Sequence, residues 1–339
     1  MTATPFVYRL VEKQVLIADE DSASLRALAP SELRIATAYS AVSPGTELAA
    51  YNGVAPLRPT ARVYPRLMGY CNVGRVEECG SAVEGYAPGD FVLTHCAHRS
   101  ADILPVDQLL CRVPTGFDLA TLSTTYLFHL GYTASLTGGL RVSDKVAIIG
   151  LGTLGLTSAA MASLSGAVVS GFSNHADREL AAGFGVRETH NKSGDPAALE
   201  SGFDAVISTT NSWEDWLLAL RLARPGGVIV CLGFPGRGEP EPGFNPLASQ
   251  YFYDKQLTLK ACGHMPDIDV SPQDVRYTLK RNCDFILNAI IAGEVPAGLL
   301  VDSVRPAGEL GDVYGEMSVN RQSAKTHVLD WGLVDHVGQ

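Results

Sequence analysis

The ten residues from Val146 to Gly155, VAIIGLGTLG, carry the clearest chemistry in the chain, an apolar run that breaks into Gly-x-Gly-x-x-Gly. At that spacing Gly150 permits a tight turn, Gly152 lets backbone approach an anion with no Cβ in the way, and Gly155 lets a following helix pack close on the strand. Thr153 and Leu154 lie inside the turn and offer backbone N–H groups, while the helix N-terminus adds partial positive charge. A turn of this kind holds the pyrophosphate of a dinucleotide.

Gly-rich turns also occur in other α/β proteins, so the flanking elements decide. Lys145 to Ile149 reads as a buried strand, Leu156 to Leu164 as an Ala/Leu-rich helix and Gly166 to Phe172 as a second strand. Together they make a βαβ unit of about thirty residues. A strand at Phe203 to Thr209, a helix at Trp213 to Ala223, a Pro225-Gly226-Gly227 turn, a strand at Val228 to Gly233 and a last strand at Leu257 to Ala261 continue the pattern. Beyond a break at Gly263 to Pro272, Val275 to Ala292 reads as a strongly amphipathic helix and Lys325 to Trp331 as a closing strand. Ahead of the glycine turn, short alternating runs at Glu32 to Val42, Gly74 to Glu78 and Asp90 to Thr94 are separated by turns such as Ser43-Pro44-Gly45 and Ala87-Pro88-Gly89-Asp90. This order predicts an α/β fold, a doubly wound parallel sheet over 126–265 inserted in a β-rich domain of 1–125 and 266–339. Cofactor and substrate are expected in a cleft between the two.

At 339 residues the chain is long enough for two cores. The N-terminal MTATPFVYRLVEKQ has no apolar signal region, and no stretch approaches eighteen uncharged apolar residues, so a soluble cytoplasmic protein is expected. A net charge of -10, with no Lys/Arg-rich run, argues against a nucleic-acid partner. The seven cysteines, at 71, 79, 96, 111, 231, 262 and 283, are odd in number and form no CxxC pair. Neither a disulfide framework nor a zinc ribbon is expected, and most should be buried small hydrophobes.

Over nearly its whole length the chain resembles the medium-chain dehydrogenase/reductase superfamily. The resemblance is carried by AVSPGTELAAYNG (41–53), GYCNVGRVEECGSAVEGYAPGDFV (69–92), GYTAS (131–135), GLGTLG (150–155) and RPGGVIVCLGF (224–234). The middle block has that superfamily's GxVxxxGxxVxxxxxGDxV frame. Its wording looks most like the branch of polyol, sugar and glycoside dehydrogenases and their biosynthetic relatives. The resemblance implies a Rossmann domain inserted in a GroES-like catalytic domain, and hydride transfer with a nicotinamide cofactor.

In the zinc-dependent members the three catalytic ligand positions fall here on Ser43, on Tyr70 and near Tyr126, none of them a good zinc ligand. The four-cysteine structural lobe is missing too, since 91–113 contains Cys96 and Cys111 alone. No metal is therefore expected, with a displaced site built from Glu47, Cys71, His98 and His129 as the alternative. Without a Lewis acid a side chain must manage the proton when carbonyl and alcohol interconvert. The candidates are Glu47, as base or substrate ligand; Tyr70, as donor to the reacting oxygen; His98, on a loop the family brings to the substrate; and His129, just ahead of the nucleotide domain. Each also has a structural alternative: an ion pair or cap for Glu47, space filling for Tyr70, a satisfied imidazole for the histidines.

NAD-specific members place an acidic residue at the end of the second Rossmann strand. Here that position is Ser173, followed by Asn174, His175 and Arg178, with Asp177 intervening, which favours NADP over NAD. By position Ser208, Thr209 and Thr210 would edge the nicotinamide ribose, Leu232, Gly233 and Phe234 would lie near its ring, and Lys325 would face the pyrophosphate. The leading expectation is a zinc-independent alcohol dehydrogenase or ketoreductase acting on a polar small molecule. The alternatives are an enoyl, quinone or imine reductase of the same fold, and a protein that binds NADP without turnover. A homodimer is expected through the apolar edge strand Leu257 to Ala261.

Overall fold

The computed structural model describes residues 4–57, 63–263, 277–320 and 323–332. In chain order they form β1 (Phe6–Glu12), β2 (Val15–Glu20), β3 (Glu32–Ala41), α1 (Pro44–Tyr51), β4 (Arg66–Leu67), β5 (Asn72–Cys79), β6 (Phe91–Thr94), β7 (Ala101–Pro105), β8 (Cys111–Val113), α2 (Leu119–Leu122) and α3 (Thr125–Gly138). Then come β9 (Lys145–Ile149), α4 (Thr153–Leu164), β10 (Val168–Phe172), α5 (Arg178–Gly183), β11 (Val186–His190), β12 (Phe203–Ser208), α6 (Trp213–Leu222), β13 (Ala223–Cys231) and β14 (Thr258–Ala261). The chain ends with α7 (Leu279–Ile291), β15 (Val301–Pro306), α8 (Leu310–Val319) and β16 (Thr326–Asp330). Contacts divide it into one unit of 1–126, 266–292 and 301–339, and another of 127–265 and 293–300. The residues 264–276 expected to hold the break and the first turn of the amphipathic helix lie outside the described residues.

The second unit is a six-stranded sheet in the order β11-β10-β9-β12-β13-β14, parallel throughout. Its order reverses between β9 and β12, the switch point at which open α/β sheets bind ligands. Both faces are covered, so β9 reads as a continuous apolar run, with Val146, Ala147, Ile148 and Ile149 all fully buried. The Pro225-Gly226-Gly227 turn lies inside β13 rather than ahead of it. Phe203 pairs with Ala223 and Ala205 with Val228, so Arg224 to Gly227 form an irregularity that the pairing spans.

The first unit holds a three-stranded sheet, β2-β1-β4, and a larger one in the order β15-β16-β3-β5-β6-β8, with β7 also pairing β3. β3 is its spine, and from Ala38 to Val42 every residue is buried. The chain does not turn at Ser43-Pro44-Gly45, as expected, but starts α1: Ser43 is its N-cap and Pro44 its first residue. The reason is that proline's missing N–H costs nothing at that position and its φ is already helical. α8, absent from the sequence reading, lays Leu310, Val313, Tyr314 and Met317 onto a core with Val42, Ala50 and Leu329. Among the described residues no helix is long and apolar enough to cross a membrane.

Candidate active site

Two constellations emerge, one in each unit. In the sheet unit the glycine turn has the geometry its spacing dictates. Gly150 has φ +89°, and a Cβ there would meet the Thr210 and Thr209 side chains at 2.5 and 2.7 Å. At Gly155 a Cβ would lie 1.8 Å from the Gly150 carbonyl oxygen, so only glycine lets α4 sit this close to the strand end. Gly152, the N-cap of α4, differs: its Cβ would meet no atom within 4 Å. The surface it faces is open, beside helix amides outside the intrahelical ladder. A cradle that a side chain would fill, at a helix N-terminus, fits a dinucleotide pyrophosphate.

The Thr209 hydroxyl donates to the Ile149 and Gly150 carbonyls at 3.0 and 3.1 Å, tying β12 to the turn. Leu232 and Gly233 both donate their amides to Ser208 O at 2.9 Å, and a Cβ at Gly233 would meet Thr210 O at 2.1 Å. Phe234 N donates to Asn211 Oδ1, and the Arg237 guanidinium lies over the Phe234 ring at 3.8 Å. At the end of β10 no carboxylate occupies the Ser173 position. Ser173 Oγ accepts from His175 N at 3.2 Å, Asn174 pairs with Ser193, and Asn174, His175 and Arg178 are exposed. The nearby Asp177 is engaged as N-cap of α5, accepting from Leu180 N. His129, on α3, is buried beside the Thr133 hydroxyl, and burial pushes its imidazole down to about 4.

In the other unit Ser43, Glu47, Tyr70 and His98 come together. Ser43 does not cap α1 with its own oxygen. Its Oγ is bonded instead to the Tyr70 hydroxyl, which also reaches Thr46 Oγ1 at 3.4 Å. An N-cap bond is worth about 1 kcal/mol, so turning the hydroxyl away from the helix has a cost. Tyr70 is partly exposed and packs edge-on against Tyr126, the centroids 5.3 Å apart. Crowding by protein, then the neighbouring Cys71, raises its phenol above the ordinary range, so it stays a proton donor at neutral pH. The Gly69 to Cys71 segment is anchored on both sides: His98 N donates to Met68 O at 2.7 Å, and Ala41 N to Cys71 O at 2.9 Å.

Glu47 and His98 are 2% and 0% exposed, so neither presents itself to a substrate. Glu47 Oε1 accepts from Ser43 N at 2.7 Å, and Oε2 from the Tyr314 hydroxyl and from His98 Nε2 at 3.1 Å. His98 Nδ1 meets Ser40 Oγ at 2.8 Å, and Trp331 Nε1 donates to that oxygen at 3.0 Å. Ser43 as partner hydroxyl, Thr46, Ser40, Tyr314 and Trp331 were not among the sequence candidates. Tyr314 and Trp331 lie too far along the chain for any local pattern to mark them.

Zinc does not fit this donor set. Ser43 and Tyr70 are neutral hydroxyls bonded to each other, and both Glu47 oxygens and both His98 nitrogens are engaged. The Cys71 thiol is pushed up by burial and by Glu47, which resists formation of the thiolate a metal needs. Among the described residues no group of three or more His, Cys, Asp or Glu is placed to hold an ion. Lys325 is partly buried, directly ahead of β16.

The profile of the zinc-binding dehydrogenase family matches residues 153–273. D-guloside 3-dehydrogenase of Escherichia coli (strain K12) is 24% identical over 311 residues, covering 82% of this chain and 87% of that protein. Among solved structures, a candidate zinc-binding dehydrogenase of Sinorhizobium meliloti 1021, solved bound to NADP, has a TM-score of 0.77 at 20% identity and covers 97% of this chain and 100% of its own. Galactitol-1-phosphate dehydrogenase of Escherichia coli has a TM-score of 0.77 at 16% identity, covering 96% and 99%.

Proposed function

We propose that the chain is an oxidoreductase of the medium-chain dehydrogenase/reductase type, a zinc-independent, NADP-dependent alcohol dehydrogenase or ketoreductase acting on a polyhydroxylated small molecule, a reading supported by the family profile and the NADP-bound neighbour. In this reading 126–265 form the cofactor domain, and 1–125 with 266–339 the catalytic domain. The observation that carries it is the Ser43–Tyr70 hydroxyl pair standing where the zinc-dependent members have metal ligands.

Bound NADPH supplies the hydride for the carbonyl carbon. The chain's own contribution is to manage the charge left on oxygen. Tyr70, a neutral phenol, donates its hydroxyl proton to that oxygen, and Ser43 steadies the phenol oxygen as its own charge develops. Thr46, exposed to solvent and 3.4 Å from the Tyr70 hydroxyl, is the route for reprotonation. In oxidation the same groups run in reverse. Glu47, His98 and His129 are too buried to share this role, which reassigns three of the candidates. The cofactor is held by Gly150, Gly152, Thr153, Leu154 and Gly155 at the phosphates and by Thr209, Thr210 and Phe234 towards the nicotinamide, with Lys325 an added cation. The uncharged run Ser173-Asn174-His175 followed by Arg178 supports NADP, since the strand-end position itself carries no carboxylate and the nearby Asp177 is engaged as N-cap of α5. A polyhydroxylated substrate is supported by the glycoside and polyol dehydrogenases the chain is similar to. We also place a homodimer contact at the outer edge of β14, which pairs with no further strand among the described residues.

The test is NADPH-linked turnover of metal-analysed protein against a panel of keto-sugars and keto-glycosides, with unsaturated ketones and imines for the alternative chemistry. Metal-free protein should reduce a keto-sugar, chelator should leave the rate unchanged, and Tyr70→Phe should lower kcat by about a hundredfold. Stoichiometric zinc lost together with activity overturns the reading.

A further inference from the structure

Glu47, His98, Ser40 and Tyr314 are each 2% exposed or less, yet they form a continuous polar chain through the middle of a core. Burying a carboxylate is expensive, and well-packed apolar residues in its place are often the more stable solution. We infer that Glu47 is a positioning residue, the hub of a buried chain with Tyr314, His98, Ser40 and Trp331 that fixes the orientation of the Ser43–Tyr70 hydroxyl pair. The inference rests on the reading of that pair as the proton donor.

The bond directions support one polarity. Trp331 Nε1 can only donate, so Ser40 Oγ accepts from it, and its own proton is free to be given to His98 Nδ1. His98 then carries its proton on Nε2 and donates to Glu47 Oε2, where the Tyr314 hydroxyl also donates. Oε1 is left for the Ser43 amide, at the first turn of α1 where the helix dipole favours a carboxylate. Every group in the chain is used.

The chain joins parts far apart in sequence: β3 through Ser40, α1 through Glu47, the segment after β6 through His98, α8 through Tyr314, and the residue after β16 through Trp331. Its output is local. Ser43 is held to Glu47 by its amide and to Tyr70 by its hydroxyl, so a rotation of the carboxylate moves the pair directly. The opposite side is constrained as well. Gly69, with φ +86°, lies against the His98 ring, where a Cβ would come within 2.5 Å, so the imidazole seats the backbone immediately before Tyr70. The charged or titratable groups around Tyr70 are Cys71 on its own segment, Glu47 on α1, Tyr314 on α8 and Tyr126 on α3. None of the five residues touches substrate in this scheme.

The experiment uses Tyr314→Phe, which deletes one hydroxyl and keeps the ring between α1 and α8, with Glu47→Gln as the stronger variant. Two measurements are made on the full chain: steady-state kinetics with a keto-sugar turned over by the wild type in the panel above, and 13C resonances of ring-labelled tyrosine, the Tyr70 signal assigned by its loss in Tyr70→Phe. Positioning predicts that Tyr314→Phe lowers kcat by about ten- to hundredfold with KM and NADPH affinity within about threefold of wild type, and moves the Tyr70 resonance. An unchanged kcat with an unmoved Tyr70 resonance overturns the inference, as does a loss of activity that only tracks a lowered melting temperature. If Glu47→Gln fails to fold, Tyr314→Phe decides alone. If Tyr70→Phe stays fully active the proton-donor reading fails separately, and the Tyr70 resonance in Tyr314→Phe still reports whether the hub orients the pair.

Discussion

The three glycines of the nucleotide turn make different demands, and a pair of alanine substitutions separates them. At Gly152 the backbone has φ -77° and ψ -170°, values any residue adopts, and an added Cβ meets no protein atom within 4 Å. Gly152→Ala should therefore leave the free protein's stability within about 0.5 kcal/mol of wild type, or raise it slightly by restricting the unfolded chain. In the proposed reading the same methyl stands where a pyrophosphate approaches the backbone. NADPH affinity should fall by about tenfold or more, equivalent to at least about 1.4 kcal/mol. Gly155→Ala behaves in the opposite way. Its Cβ would lie 1.8 Å from Gly150 O, an overlap that backbone displacement must relieve. The expected cost is about 1–3 kcal/mol of folding stability before any ligand is added. Thermal denaturation of the free variants and calorimetric titration with NADPH measure the two effects separately. Wild-type affinity in a fully folded Gly152→Ala protein would show that the phosphates do not lie on this turn.

Two further outcomes follow from the titrating and polar groups. His129, held down to about 4 by burial against an ordinary 6.5, is neutral in the folded protein where the unfolded chain already takes up a proton. Stability should thus decline as pH falls from about 6.5 towards 4, by up to about 3 kcal/mol from this residue. Denaturant titrations of wild type and His129→Gln over that window should give a flatter profile for the variant, and superimposable profiles would contradict the assignment. Ser173→Asp puts a carboxylate where the NADP reading needs neutrality, and should weaken NADPH by about tenfold or more while sparing NADH. Equal losses for both cofactors would mean that the adenosine ribose lies elsewhere.

How much of this was legible in the sequence depends on the range over which each feature is determined. The turn from Val146 to Gly155 and its βαβ unit are set by neighbouring residues, so spacing alone located them, and α4 begins at Thr153 directly behind Gly152. Ser43-Pro44-Gly45 misled because the same residues open a helix as readily as they close a turn. What distinguishes the cases is whether Glu47 finds partners, and these include His98, 51 positions away, and Tyr314, 267 away. Residue type singled out Glu47, His98 and His129 as catalytic candidates, but type carries no information on depth. All three are buried, and His129 belongs to the other unit. Tyr314 and Trp331 left no signal, because a core tyrosine or tryptophan has the same local pattern whether or not its polar atom joins a network.

The two kinds of active centre also differ in what must hold them still. A metal ion orients its own ligands through coordination, and the surrounding protein refines the result. Two neutral hydroxyls have no such organising charge. Each O–H turns freely about its C–O bond, and a hydroxyl pair aimed wrongly donates to a neighbour instead of to a developing alkoxide. If Ser43 and Tyr70 stand in for ligands, as proposed, the orienting task passes to the surroundings. Glu47 does this from below by clamping the Ser43 amide, His98 by seating Gly69, and Tyr314 by fixing the carboxylate that serves both. On this account a buried carboxylate in a dehydrogenase without a fitting metal site is the counterpart of the missing coordination sphere, and its contribution should be read in kcat, where orientation of the proton counts, more than in substrate binding.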